Sequence, residues 1–330
     1  MRKCPLTQFD AEGCRSFTLV PFYHIDAFVD ESRCGYSGNA AAVLLCASAP
    51  SHNSMQRAAA ELSLSESCFV VKLDSSVETE LYSLRWFTPT KEVDLCGHGT
   101  LAAAHALWQA GAIRELVFET RSGRICVWPA ERRPPVAAEH DGASAAWPEA
   151  AMSCASFSFP ANDPVSPLPP RETLEAITQA LFGGEADITV LEMAFDSTTH
   201  KLLIEISSMA VLFSLAPDAS SLLSINQTRC ENHMRITGVV VTCVGEAPYH
   251  FCSRYFSPWN GIPYAYGEDP VNGSSHTLLA PFWARKLSAE TFEACVLSPR
   301  GGRLSLSLKD DRVLISGVAC TVANGSMLLR

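Results

Sequence analysis

Two short stretches lie far apart in this chain and share one architecture: Asp94-Leu95-Cys96-Gly97-His98-Gly99-Thr100 and Asp269-Pro270-Val271-Asn272-Gly273-Ser274-Ser275-His276 each join an extended segment to an apolar helix. The first helix runs from Gly97 to Gly111 and is apolar on nearly every face; the second spans Ser274 to Leu287. A helix without a polar face for water belongs inside something. Its N-terminus leaves backbone N–H groups unpaired and carries a partial positive charge. Two such ends aimed at one cleft suit a carboxylate or a developing enolate, which points to proton transfer on a small acid.

Strand patterns surround both helices. In the first half they cover Phe17–Val20 with Tyr23–Phe28, Ala40–Leu45 after a Gly38-Asn39 turn, Cys68–Leu73, Leu81–Phe87, Leu116–Thr120 and Arg124–Trp128. A helix capped by Ser51 or Asn53 carries Met55, Ala58, Ala59 and Leu62 and stops near Ser63, leaving Glu66 in the joint before the next strand. The second half has strand patterns at Ser153–Phe159, Ile188–Phe195, Lys201–Ile206, Ile236–Val244, His250–Phe256, Arg303–Leu308 and Arg312–Val318. A helix at Arg171–Phe182 is ended by Gly183-Gly184. Each half thus repeats one plan, several strands plus one central helix preceded by an Asp/Gly motif. That is a diverged duplication of α+β class, two pseudo-symmetric lobes with a cleft on the axis between them. The expected divisions are a loose extension over 1–16, an N-terminal lobe over 17–128, a linker over 129–152 and a C-terminal lobe over 153–318.

With 330 residues the chain is long enough for two lobes that each bury a core. Its net charge of −10 leaves no basic face for a phosphate backbone, so nucleic acid is excluded as a partner. Thirteen cysteines are scattered without disulfide spacing, several of them (Cys46, Cys126, Cys243, Cys320) in apolar runs, and read as reduced, buried thiols of a cytoplasmic protein. Met1 to Thr18 lacks the apolar stretch of a signal peptide, and no segment has the length of a membrane span. A homodimer is the default assembly.

Five ordered blocks carry a family resemblance. They are Asp26-Ala27-Phe28 with Gly38-Asn39-Ala40-Ala41-Ala42-Val43; Leu64-Ser65-Glu66-Ser67-Cys68-Phe69-Val70; Arg85-Trp86-Phe87-Thr88-Pro89 with Glu92-Val93-Asp94-Leu95-Cys96-Gly97-His98; Thr120-Arg121-Ser122-Gly123; and Arg254-Tyr255-Phe256-Ser257-Pro258 with Glu268-Asp269-Pro270-Val271-Asn272-Gly273-Ser274. Together they span about Phe22 to Ala319 and resemble the PhzF family of phenazine-biosynthesis-like isomerases, which share the diaminopimelate epimerase fold. The resemblance implies two lobes, each an antiparallel barrel-like sheet wrapped around its central helix, with the last strand, about 319–330, returning to complete the first lobe. It also implies a cofactor-independent isomerase whose catalytic acid/base is Glu66. The family's glycine-histidine pair maps to Gly97 and His98 and its Asp and Gly-Ser to Asp269, Gly273 and Ser274, which puts His98 and Asp269 in the expected catalytic set; by close backbone approach at Gly99 and a hydroxyl at Ser275, these two join Gly97, Gly273 and Ser274 as expected contacts to a small carboxylate-bearing metabolite. The family commonly has Thr in place of Asn272 and Ala in place of Ser275, so the phenazine enzyme's substrate does not carry over.

Physical chemistry supports those roles. A carboxyl group desolvated in a cleft is tuned to take and return a proton, and a helix N-terminus disfavours a protonated imidazole at His98. A two-thiol racemase would need a cysteine at each helix start; Cys96 occupies one, but Asn272, Gly273 and Ser274 occupy the other. A binding module that kept the fold and lost turnover is the alternative from a different class. Neither Cys96 with His98 nor Cys243, His250 and Cys252 shows paired zinc spacing, and Gly97-His98-Gly99 lacks the rest of a dinucleotide motif, so neither metal nor cofactor is expected. Arg121 and Arg254 are candidates for clamping acids, with internal carboxylate partners as the competing assignment.

Overall fold

A computed structural model describes residues 17–33, 36–75, 80–113, 115–131, 151–183, 188–228, 235–261 and 264–330. The expected extension over 1–16 and most of the expected linker, 132–150, lie outside the described residues. The first half contains β1 (Thr18–Ala27), β2 (Asn39–Cys46), α1 (His52–Leu62), β3 (Glu66–Ser75), β4 (Glu80–Phe87), β5 (Glu92–Val93), α2 (Gly97–Gln109), β6 (Leu116–Thr120), β7 (Gly123–Pro129) and β8 (Met152–Pro160). After it come α3 (Arg171–Phe182), β9 (Val190–Asp196), β10 (Lys201–Ile206), α4 (Met209–Ser214), α5 (Ala219–Thr228), β11 (Gly238–Val244), β12 (Phe251–Phe256), β13 (Glu268–Asp269), α6 (Gly273–Leu287), β14 (Thr291–Val296), β15 (Gly302–Lys309) and β16 (Arg312–Leu329).

These strands join in one sheet of order β1-β2-β3-β4-β6-β7-β8-β16-β15-β14-β12-β11-β10-β9, with β5 on β4 and β13 on β12. Because β16 also pairs with β1, the path from β1 to β16 closes into a barrel around α2. Every residue of α2 from Gly97 to Leu107 is buried, as its lack of a polar face requires. The path from β16 to β9 curls around α6, buried from Ser275 to Trp283. Pro281 within α6 has no N–H for the Thr277 carbonyl, and the backbone of Asn162 donates to that carbonyl instead at 3.0 Å.

The expected antiparallel barrel-like sheets are present, with parallel neighbours set into them. Four neighbouring pairs run parallel: β2 with β3, β4 with β6, β10 with β11, and β12 with β14. A parallel neighbour needs a long crossover, which α1, α2, the α4 and α5 pair, and α6 respectively supply. Alternation reports a half-buried strand and is silent on its direction. The strand read at Arg312–Val318 runs on to Leu329, and β14, α4 and α5 escape the sequence reading. Cys126, read as buried, is exposed on β7.

The two barrel interiors are also less separate than expected. One apolar cluster joins Leu101, Ala103 and Phe118 of the first lobe to Leu203, Leu279 and Phe282 of the second through Phe157, Phe159 and Ile315 at the seam. On the outer face of the second lobe, α3, α4 and α5 cover Leu202, Ile204 and Val241; on the outer face of the first, α1 covers Leu44 and Phe69. Among the described residues no helix is long and apolar enough to cross a membrane.

Candidate active site

Local chemistry starts both central helices at one place. Cys96 is extended (φ −146°, ψ 107°) and its thiol accepts from Gly99 N at 3.2 Å, so a sulfur caps α2. Asn272, likewise extended, caps α6 through Oδ1, which accepts from Ser275 N at 2.8 Å. The helices meet end to end at their first residues: a Cβ on Gly97 would lie 3.1 Å from Gly273 Cα and 3.3 Å from the Phe159 ring. Only glycine permits so close an approach. Two partial positive charges are thereby placed side by side, an arrangement that favours negative charge beside them.

That charge is present. Glu66 opens β3, in parallel register with Ala41 of β2, and its Oε2 lies 2.9 Å from Nε2 of His98 in the first turn of α2. Apart from this contact with the imidazole, the buried oxygen has no hydrogen-bond partner among the described residues. On the far side of the ring, His98 Nδ1 is 3.2 Å from Nδ2 of Asn39, the first residue of β2. The same amide donates to Asp269 Oδ1 at 2.6 Å and to the Val271 carbonyl at 2.9 Å. Ser65 donates to Asn39 Oδ1 at 2.6 Å, and the Val271 carbonyl, which can only accept, fixes the other end of the amide as the donor. Glu66, His98 and Asp269 are therefore brought into one network that crosses the seam, at 8%, 1% and 7% exposure.

Burial raises the Asp269 carboxyl to about 7, and nearby Glu66 adds to this against the opposing pull of His98 and the two asparagine amides. At His98 burial acts to lower the pKa, but the charge and hydrogen bond of Glu66, with Asp269, carry it above the ordinary imidazole value. Burial pushes the Cys96 thiol well above its usual range, with Glu66 reinforcing the effect, which holds it as a neutral thiol. A thiolate base at α2 is thus disfavoured, and the start of α6 carries no second thiol.

The remaining expected site residues are placed as follows. Gly97 and Gly273 form the helix contact. Gly99 faces inward, where a Cβ would meet Trp86 and the sulfurs of Cys96 and Cys68 within 3.0 Å. Ser274 donates through Oγ to Asn272 Oδ1 at 3.1 Å, and Ser275, buried, sits with Oγ 3.3 Å from His276 Nδ1. Both arginine candidates pair internally: Arg254 with Glu268 through two 2.7 Å bonds, and Arg121 with Glu92 and Asp94 at 3.2 Å. Glu66, Cys96 and His98 bring one donor atom each within 4.8 Å of one another, a set with the chemistry to hold a cation; among the described residues Cys243, His250 and Cys252 form no such grouping.

Asn39 and Lys201 are the residues that sequence reasoning passed over. Asn39 reads locally as a turn after Gly38, and its Gly-Asn block carried no assigned role. Lys201 reads as the start of a strand; the signal was a lysine leading the unbroken apolar run Leu202-Leu203-Ile204.

The family model described as phenazine biosynthesis-like protein matches residues 25–325. The mouse phenazine biosynthesis-like domain-containing protein 1 is 34% identical over 324 residues, covering 93% of this chain and 99% of the relative. An uncharacterized isomerase of Halalkalibacterium halodurans is 35% identical over 315 residues, covering 94% and 99%. The crystal structure of a PhzF-family protein from Enterococcus faecalis superposes with a TM-score of 0.72 at 30% identity over 94% of this chain and 99% of that one.

Proposed function

Because this chain belongs to the phenazine biosynthesis-like PhzF family, we propose that it is a cofactor-independent isomerase that moves a proton on a small carboxylate-bearing metabolite, with Glu66 as its acid and base. The observation that carries the reading is the under-used Oε2 of Glu66, buried beside His98 where two helix N-termini converge. Oε2 takes the proton from an activated C–H. The electron pair left behind spreads onto the substrate's carboxylate, where the N–H groups of α2 and α6 stabilise it. Glu66 then returns a proton to a different carbon on that face, after its carboxyl has had time to exchange with solvent. His98 and Asp269, tied together by Asn39, orient the substrate's polar groups and hold the carboxylate of Glu66 in place. With all three side chains almost sealed, the walls of the cleft must part for substrate to enter and then shut out water.

Incubating candidate metabolites in deuterated water tests this reading. The wild-type protein should place deuterium at the carbon that receives the proton, and Glu66→Gln should lower labelling by roughly 10²–10⁴-fold while melting as the parent does. Undiminished labelling in Glu66→Gln would remove Glu66 from the mechanism. Binding without any exchange in the wild type would favour the ligand-binding module over the enzyme.

A further inference from the structure

Lys201 opens β10 and is 7% exposed. Along this strand Leu202, Ile204 and Ile206 pack under α3, α4 and α5, whereas Leu203 packs toward the barrel interior, so alternation puts Lys201 on the α6 side. Its Nζ has one hydrogen bond among the described residues, a long one of 3.4 Å to the Ser274 carbonyl in the first turn of α6. That carbonyl already accepts from Thr277 Oγ1 at 2.8 Å. The cross-strand neighbour Asp196 is committed to its own turn, accepting from Thr198 N, Thr199 N and Thr199 Oγ1, and among the described residues no carboxylate lies within ion-pair distance of Nζ.

An ammonium in this position is costly on two counts. Burial strips its water and lowers its pKa to about 8, with only the more distant charges of Asp196 and Asp269 acting in the other direction. It also lies beside the positive end of a helix, where a cation is repelled. In the same turn Asn272 Nδ2 is buried without a well-formed hydrogen bond, its amide held by the cap that Oδ1 makes and close enough to Asp269 to favour that carboxylate. The first turn of α6 therefore gathers an ammonium, an amide and backbone N–H groups, and no carboxylate among the described residues lies within ion-pair distance of Lys201.

We propose that Lys201 is a specificity-determining residue that receives an acidic group of the substrate at the first turn of α6, separate from the carboxylate activated next to Glu66, so that the substrate class is a small dicarboxylic acid. The assignment rests on the cleft reading above but is measured by binding rather than by turnover.

Calorimetry with malonate, succinate, fumarate and the monoacid propionate decides it. At least one diacid should bind the wild-type protein about tenfold or more tighter than propionate, and Lys201→Met should remove that preference while Lys201→Arg keeps it. Lys201→Met deletes the charge and keeps the stem, so its melting temperature should match or exceed the parent's. Absence of any diacid preference in the wild type, or undiminished diacid affinity in Lys201→Met, would overturn the proposal. So would a fall in melting temperature of more than about 10 °C in Lys201→Met, because the ammonium would then be serving the fold. Lost diacid binding in Lys201→Met together with intact exchange in Glu66→Gln would refute the acid/base reading and leave this one standing.

Discussion

Asp269 is a side chain whose burial costs stability in a pH-dependent way. Its carboxyl is raised to about 7 in the folded protein, chiefly by burial, so between its unfolded value near 4 and pH 7 the native state binds more protons than the unfolded one. Stability must then fall as pH rises through that window. Asp269→Asn, which preserves an acceptor for Asn39, should flatten this dependence and raise stability above pH 7 by roughly 2–4 kcal/mol. Urea titrations at pH 5 and pH 8 measure it; an unchanged difference between the two would show that Asp269 is not the titrating group. Asn272 works in a similar local fashion. It caps α6 through Oδ1, which fixes where its amide nitrogen points.

At the scale of elements, what matters is how the helix starts are held. The Gly97 to Gly273 contact leaves no room for a side chain, since the nearest atoms to a new Cβ are backbone. Gly97→Ala should therefore push α2 and α6 apart, cost about 1–3 kcal/mol in chemical denaturation and reduce proton exchange. Full exchange activity in that variant would mean that the paired helix ends are not needed. Further back, the buried bidentate pair of Arg254 and Glu268 ties β12 to β13, the strand that delivers Asp269, while Arg254 Nη1 donates to the carbonyls of Leu212, Phe213 and Leu215 at the end of α4. Arg254→Met strands a buried carboxylate and should cost about 3–5 kcal/mol, read from the denaturation midpoint. Replacing Glu268 by Leu in that background should recover part of the loss. No recovery would locate the cost in the three carbonyls. His105 does a quieter job: with its pKa lowered to about 4 by burial it stays neutral, linking α2 to Ser153 of β8 and Thr321 of β16 at 2.6 and 2.9 Å.

For the molecule as a whole, β16 is the element on which both lobes depend. Its eighteen residues pair with β15 and β8 at one end and with β1 at the other, so a single strand belongs to both barrels and closes the first. The apolar interior is continuous across the same seam. Removing residues 319–330 should deprive β1 of its partner, open the barrel and abolish a cooperative thermal transition in circular dichroism. A truncated chain that still melted as the parent does would show that closure contributes little.

Signals confined to a few residues could be read directly from the chain. The apolar sweep of α2, the Asp/Gly motifs that precede α2 and α6, and the alternation of β3 and β4 depend on neighbours within one turn or one strand, and local sterics and hydrogen bonding decide them; that Cys96 and Asn272 are the capping residues appeared only in the structure. The ordered blocks around Glu66 and Asp269 likewise conveyed the family. What required the folded chain was everything set by distant contacts: the parallel direction of four strand pairs, the shared strand β16, the role of Asn39, whose partner Asp269 is 230 residues away, and that of Lys201, 73 residues from Ser274. A turn-like asparagine and a strand-leading lysine look ordinary in one dimension, because desolvation and hydrogen-bond supply are properties of the space a side chain enters, and only tertiary packing creates that space.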